Sequence, residues 1–342
     1  LPIIRELIEN GCDLSAPDSL GNNALHLAVS RGNFVVARAL LSAGLDVNAS
    51  NYHGSTPLHI ACSYNDTRIA CSLLKAGADP NRFDVDRKTP LHIASEMASK
   101  NLASILISHG ASFSHCDIDG RTPLHTALAN NDESMALRLL KYCNDQDVMK
   151  ADRKGDTALH IACKLGLGRV VKKIALRQED LNLKNVYGNS PLHYACKYGH
   201  NEVVKQITEV AEEHGYLDQL LMSENIAGKT PLHMAAKAGD VEAASHLVER
   251  GAAVNYQDRH GRSPMHLLAA CNNLKATKHF VELLINAGAS VDSTDGQGDT
   301  PLHTAARTGN NELITYLVEN GANIDLANNE EHTPVHIASA FG

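Results

Sequence analysis

The sequence predicts an all-α solenoid of stacked helix-turn-helix units, and three observations carry that prediction. A histidine preceded by Leu, Met or Val recurs as His26, His59, His92, His125, His160, His193, His233, His266, His303 and His336, at steps of 33, 33, 33, 35, 33, 40, 33, 37 and 33 residues. Thr or Ser followed by Pro precedes eight of these, the prolines being Pro57, Pro90, Pro123, Pro191, Pro231, Pro264, Pro301 and Pro334. A Gly or Asn stands six residues after nine of the ten. A fixed period of about 20–50 residues marks a repeat array, in which a unit buries its apolar face only against its neighbours.

Within a repeat, the Thr or Ser hydroxyl caps a first helix, Pro occupies the first turn, and His follows two positions later. Gly32, Asn65, Asn131, Gly166, Gly199, Gly239, Asn272, Gly309 and Gly342 tolerate the left-handed conformation that ends this helix. Ala98 breaks the pattern, so the third repeat is expected to turn differently. An amphipathic second helix follows, as in 34–41 and 312–318, and is closed by Gly44, Gly77, Gly110, Gly251, Gly288 or Gly321. The irregular steps place two extra residues around Cys143 to Asp147, an extension over Val210 to Met222 that lengthens a second helix or its loop, and four residues around Cys271 to Thr277.

A 33-residue period built on Thr-Pro-Leu-His resembles the ankyrin-repeat family over essentially all 342 residues. The chain reads as one array: a partial repeat at 1–20, nine complete repeats at 21–329 and a partial last repeat at 330–342. The resemblance implies antiparallel helix pairs, each followed by a β-hairpin-like loop, in a curved stack. Leu1-Pro2-Ile3-Ile4-Arg5 is not a targeting peptide, and both ends fall inside repeats, so the chain is read as part of a longer parent.

Composition narrows the function. Lys plus Arg number 31 against 39 for Asp plus Glu, a formal charge of −8, which argues against nucleic acid or an anionic membrane as a bulk-charge partner. No apolar run approaches the roughly 18 residues of a membrane span, so no direct membrane insertion is expected. Eight Cys without a C-x-x-C pair fit a reduced cytoplasmic or nuclear setting rather than a disulfide scaffold. Cys62, Cys163 and Cys196, three residues after phased histidines, read as small core residues, while Cys271 in an inserted turn is the strongest candidate for reactivity.

The histidines invite a catalytic or metal reading. Stacked helices lie about 8–10 Å apart, whereas zinc ligands must each come within about 2.1 Å of one ion, so equivalent histidines of adjacent repeats cannot share a metal. They are expected to bond the capping hydroxyl and nearby backbone. The unphased His53, His109, His115, His200, His214 and His260 read as loop or surface residues. No phosphate loop, H-E-x-x-H or G-x-S-x-G occurs, so no catalytic, cofactor-binding or metal-binding residue is nominated.

The resemblance further implies that partners meet the hairpin tips and the exposed ends of the first helices on a concave surface. The contact positions lie seven, six and four residues before the phased histidine and four and five after it. They give Tyr52, His53, Ser55, Ser63 and Tyr64, then Val85, Asp86, Lys88, Glu96 and Met97. From the fifth repeat they give Arg153, Lys154, Asp156, Lys164 and Leu165, then Val186, Tyr187, Asn189, Lys197 and Tyr198. Lys229, Lys237, Arg259, His260, Arg262 and Arg307 continue the series. The expectation is a non-catalytic scaffold for a protein or peptide partner, with repeats five to nine taking an acidic or phosphorylated segment and Tyr187 and Tyr198 as apolar anchors. The competing explanation of the basic stripe is solvation of exposed helix ends. The alternative function is a docking or assembly segment of a larger enzyme, ion channel or toxin, and a third is a spacer or spring. Leu40 to Asn48 also resembles a segment hydroxylated on Asn in several ankyrin proteins.

Overall fold

A computed structural model of the chain describes residues 2–178, 180–271 and 277–341. The described residues form helices joined by turns and loops, with no β-sheet, and they divide into two compact units, Leu1–Arg153 and Lys154–Gly342. The first unit opens with helix Pro2–Glu9. It continues with the pairs Ala24–Ser30 and Phe34–Ser42, Pro57–Ser63 and Thr67–Lys75, Pro90–Glu96 and Lys100–Ser108, and Pro123–Ala129 and Glu133–Leu140. The second unit contains Ala158–Leu165 and Gly168–Ala175, Pro191–Tyr198 and Asn201–Glu213, Pro231–Ala238 and Val241–Glu249, Pro264–Ala269 and Thr277–Asn286, and Pro301–Thr308 and Asn311–Glu319, before Pro334–Phe341.

The recurring histidine explains how one pair is tied to the next. In the second repeat the Thr56 backbone N–H donates to His59 Nδ1 at 3.2 Å, and the Thr56 hydroxyl lies 2.8 Å from the same nitrogen. With Nδ1 accepting, the ring proton belongs on Nε2, which donates to the Lys88 carbonyl of the following repeat at 3.1 Å. His92 reaches Arg121, His193 reaches Lys229, His233 reaches Arg262 and His303 reaches His332 in the same way, at 2.9–3.0 Å. Each ring therefore closes its own helix cap and hydrogen-bonds the next loop, as a structural residue should. Burial accompanies the bond: Leu58, Leu91, Leu192 and Leu232 before the histidines, and Ala61, Ala94, Ala195 and Ala235 after them, form the core. Cys62, Cys163 and Cys196 are wholly buried in the same layer, and burial pushes their thiols well above the usual range.

The third repeat does not turn differently. Ala98 takes φ +53°, matching Asn65 at +54° and Asn131 at +56°. The bonds are also shared: Ser99 N–H donates to Ala94 O at 3.0 Å as Asp66 N–H donates to Ala61 O at 2.9 Å. Packing of the helix pair imposes the left-handed residue even where a side chain disfavours it. Asn272 and Gly342 lie outside the described residues.

The loops are hairpin-like and rest on an Asp or Asn that the sequence reading overlooked, eight residues before each phased histidine. Asp84 Oδ1 accepts the N–H groups of Asp86 at 3.0 Å and Lys88 at 2.9 Å, and neighbouring loops join through backbone, Val85 N–H donating to His53 O at 3.0 Å. Where this residue is Asn, its amide donates to the preceding repeat: Asn51 to Asn22 at 2.8 Å, Asn185 to Asp156 at 2.6 Å, Asn225 to Asn189 at 2.9 Å and Asn328 to Asp299 at 2.7 Å. Asp is used where the preceding repeat offers Ser55, Lys88, Arg121, Lys229 or Arg262 at the equivalent position.

The extra residues after Cys143 become the short helix Asp145–Met149. The extension over Val210 to Met222 does both things expected of it: the second helix runs 13 residues, and a further helix, Leu217–Leu221, buries Leu220 and Leu221. Residues 272–276 of the third irregular step lie outside the described residues. The Asn48 amide bridges two repeats, donating to Gly77 O at 3.3 Å and accepting Asp79 N–H at 2.8 Å.

Candidate partner-binding surface

The nominated residues sit on hairpin tips and first-helix ends, and their surroundings divide them. In the first unit Tyr52, His53, Tyr64, Met97 and Arg153 are exposed, Tyr52 at 69% and Tyr64 at 64%. Val85 and Ile118 extend the apolar tips beside Tyr52. Lys88 is tied up: its ammonium lies 2.6 Å from Glu96. Burial opposes that charge, but the Glu96 bond and charge outweigh it and raise the Lys88 pKa above the usual value.

In the second unit Lys154, Lys164, Tyr187, Lys197, Tyr198, Lys237, Arg259 and His260 are exposed, while Lys229, Arg262 and Arg307 are half-buried. Lys229 occupies the position of Lys88, four residues before its histidine, but Lys237 stands where the repeat of Lys88 has Glu96. Burial, Lys237 and Arg262 hold the Lys229 pKa below the usual lysine value, against a smaller opposing pull from Asp258. Lys164, Lys197, Lys237 and Arg307 lie in the last turns of their first helices, where a cation also satisfies the helix dipole. That accounts for part of the stripe; it does not account for setting Lys237 and Arg262 where their charge acts on the half-buried Lys229.

Tyr198 is the aromatic centre of the surface. Lys197 lies 5.1 Å and Lys164 5.9 Å from its ring, and the buried Tyr194 ring is 6.2 Å away. Tyr194 was not among the nominated residues, because the position after the phased histidine lies outside the contact series and carries mostly Leu, Ile or Thr. It belongs to a buried network in which Asn185 donates to both Tyr194 Oη, at 2.8 Å, and Asp156. Burial, with Asp156 nearby, pushes the Tyr194 phenol up to about 12. Asp156, read from sequence as a contact, is therefore buried and occupied within the fold.

Further along the unit, a groove of about 610 Å³ opens between the eighth and ninth repeats, lined by Arg259, His260, Arg262, Leu267, Ala270 and Arg307 among others. Asp258 and Asp299 lie beneath it with fully buried carboxylates, at 2.8 Å from Arg262 and 2.5 Å from Arg307. Burial alone would raise both acids, but hydrogen bonds from Arg262 to the first, and from Asn328 and Arg307 to the second, keep both below the usual carboxylate range. Among the described residues, no group of three or more His, Cys, Asp or Glu is placed to hold a metal ion, and no helix is long and apolar enough to cross a membrane.

Comparison with known proteins gives one family. The model for ankyrin repeats (3 copies) matches residues 1–84, 83–152, 129–215, 208–279 and 267–342. A search of curated proteins found no match. The capped helix pairs, the inter-repeat histidine bond and a match running the length of the chain agree: the chain belongs to the ankyrin-repeat family.

Proposed function

We propose that this chain is a non-catalytic scaffold whose second unit holds an acidic or phosphorylated segment of a partner protein. Ankyrin repeats are generally protein–protein interaction modules, and the finer reading rests on one observation, that Lys237 and Arg262 lie near enough to Lys229 for their charge to lower its pKa. Gathering like charges on a half-buried lysine costs stability, and an incoming carboxylate or phosphate relieves that cost. Tyr198, between Lys164 and Lys197, supplies an apolar anchor of the kind that dominates binding energy, with Tyr187 exposed on the adjoining tip. The cysteine pattern of the sequence, eight Cys without a C-x-x-C pair, favours a reducing compartment, cytoplasmic or nuclear.

The test is titration of the whole chain with a fluorescent oligoglutamate peptide at several salt concentrations. Lys237→Glu should weaken binding at least tenfold and flatten its salt dependence. Unchanged affinity and salt dependence would remove the proposal.

A further inference from the structure

We infer that the groove between the eighth and ninth repeats is a pocket for a phosphorylated side chain. This deepens the proposed function and rests on it, since both invoke an anionic partner on the second unit.

Two guanidinium groups in this groove are held in place before any ligand arrives. Arg262 places Nε at 3.2 Å and Nη2 at 2.8 Å from Asp258 Oδ2. Asp258 is itself fixed, its Oδ1 accepting the N–H groups of His260 at 2.9 Å and Arg262 at 3.1 Å. Arg307 is gripped from two sides, by Asp299 at 2.5 Å and by the Phe341 ring at 6.0 Å, and Asp299 accepts from Asn328 at 2.7 Å. Fixing an arginine on a buried carboxylate spends one edge of its planar fork and leaves other N–H groups directed by the frame. Arg259 adds a third, exposed guanidinium on the tip.

The room comes from two missing side chains. Gly296 stands at the tip position where other repeats carry Tyr52, Val85, Ile118, Val186 and Ile226. Ala270 stands where the neighbouring first helices end in Lys237 and Arg307. Leu267 and Ala270 give the groove an apolar floor that suits the methylene of a phosphorylated serine or threonine.

Charge selects the ligand. The groove's own cations, Arg259, Arg262 and Arg307, are accompanied by Asp258, Asp295 and Asp299, and the charge of Arg262 also acts on Lys229 together with that of Lys237. A doubly charged phosphoryl group with three acceptor oxygens uses several guanidinium forks at once, which a carboxylate cannot.

The experiment compares two acetylated, amidated peptides, Asp-Glu-Ser-Asp-Glu with and without phosphate on the serine, by calorimetric titration of the whole chain. The phosphorylated peptide should bind at least tenfold more tightly. Arg259→Ala, at an exposed residue, and Arg307→Lys, which keeps the charge and loses the fork, should each reduce that preference at least threefold. Ala270→Leu, which fills the groove without altering charge, should do the same, and thermal melts verify that each variant is folded. Equal affinity for the two peptides, or a preference that survives all three folded variants, overturns the pocket. If the plain peptide binds and Lys237→Glu weakens it while phosphate adds nothing, the pocket falls and the broader function stands. If neither peptide binds, both fall.

Discussion

Lys237 stands, relative to Lys229, at the position from which Glu96 forms an ion pair with Lys88, and its charge opposes that of Lys229. The two lysines are equivalent in their repeats, four residues before His92 and His233, and their partners lie four residues after. One exchange of partner converts a satisfied lysine into one whose charge is opposed by its surroundings, with the Lys88 pKa raised and the Lys229 pKa lowered. A fold can tolerate such a site, and a binding surface can use it.

Lys237→Glu should therefore act oppositely on stability and binding. Rebuilding the Lys88–Glu96 arrangement at Lys229 should stabilise the second unit by about 0.5 kcal/mol, the usual scale of a partly exposed pair. The same change should weaken an acidic ligand at least tenfold. Denaturation and titration on one preparation check both signs, and a variant that loses stability along with binding would contradict the assignment.

The buried histidines predict acid sensitivity. Burial is the largest cause holding His26, His59, His92, His233 and His266 below the usual value, and it brings His193 to about 4. The folded state thus prefers neutral rings, so the unfolded chain binds more protons once pH falls below about 6.5. Stability should be full above that value and decline toward pH 4, with His193 alone contributing roughly 2 kcal/mol of loss at pH 5. Urea melts at pH 7.5 and pH 5 measure it; coincident curves would contradict it.

Ala98→Gly should stabilise the first unit by about 1 kcal/mol, because the left-handed conformation at φ +53° costs a side-chain-bearing residue what glycine does not incur. Chemical denaturation of the whole chain, followed by hydrogen exchange at Ser99 and Lys100, locates the gain. A neutral or destabilising result would show that the Ala98 methyl contributes more by packing than it loses in strain.

The repeat frame was legible because His, Pro and Thr or Ser each perform one local task at a fixed phase, so period and chemistry coincide. The Asp or Asn of the hairpin loops recurs as faithfully but escaped notice, since its identity alternates with the residue it meets, Asn185 facing Asp156 and Asp258 facing Lys229. Ala98 misled because propensity is local and the turn is set by two packed helices. Asp156 misled because a tip position is exposed or buried according to the next repeat, and Asn185 with Tyr194 covers it. The basic stripe could be read by position, yet which cations are held by buried acids, as Arg262 and Arg307 are, depends on pairs the linear sequence does not display.

The central claim is that the imidazoles of His59, His92, His193 and His233 are neutral fasteners, accepting at Nδ1 from their own helix caps and donating from Nε2–H to the next repeat. Long-range proton–nitrogen correlation of the histidine rings at pH 7 tests it most directly. Signals from His59, His92, His193 and His233 should report the neutral form protonated on Nε2. Rings protonated on Nδ1, or charged at that pH, would contradict the account.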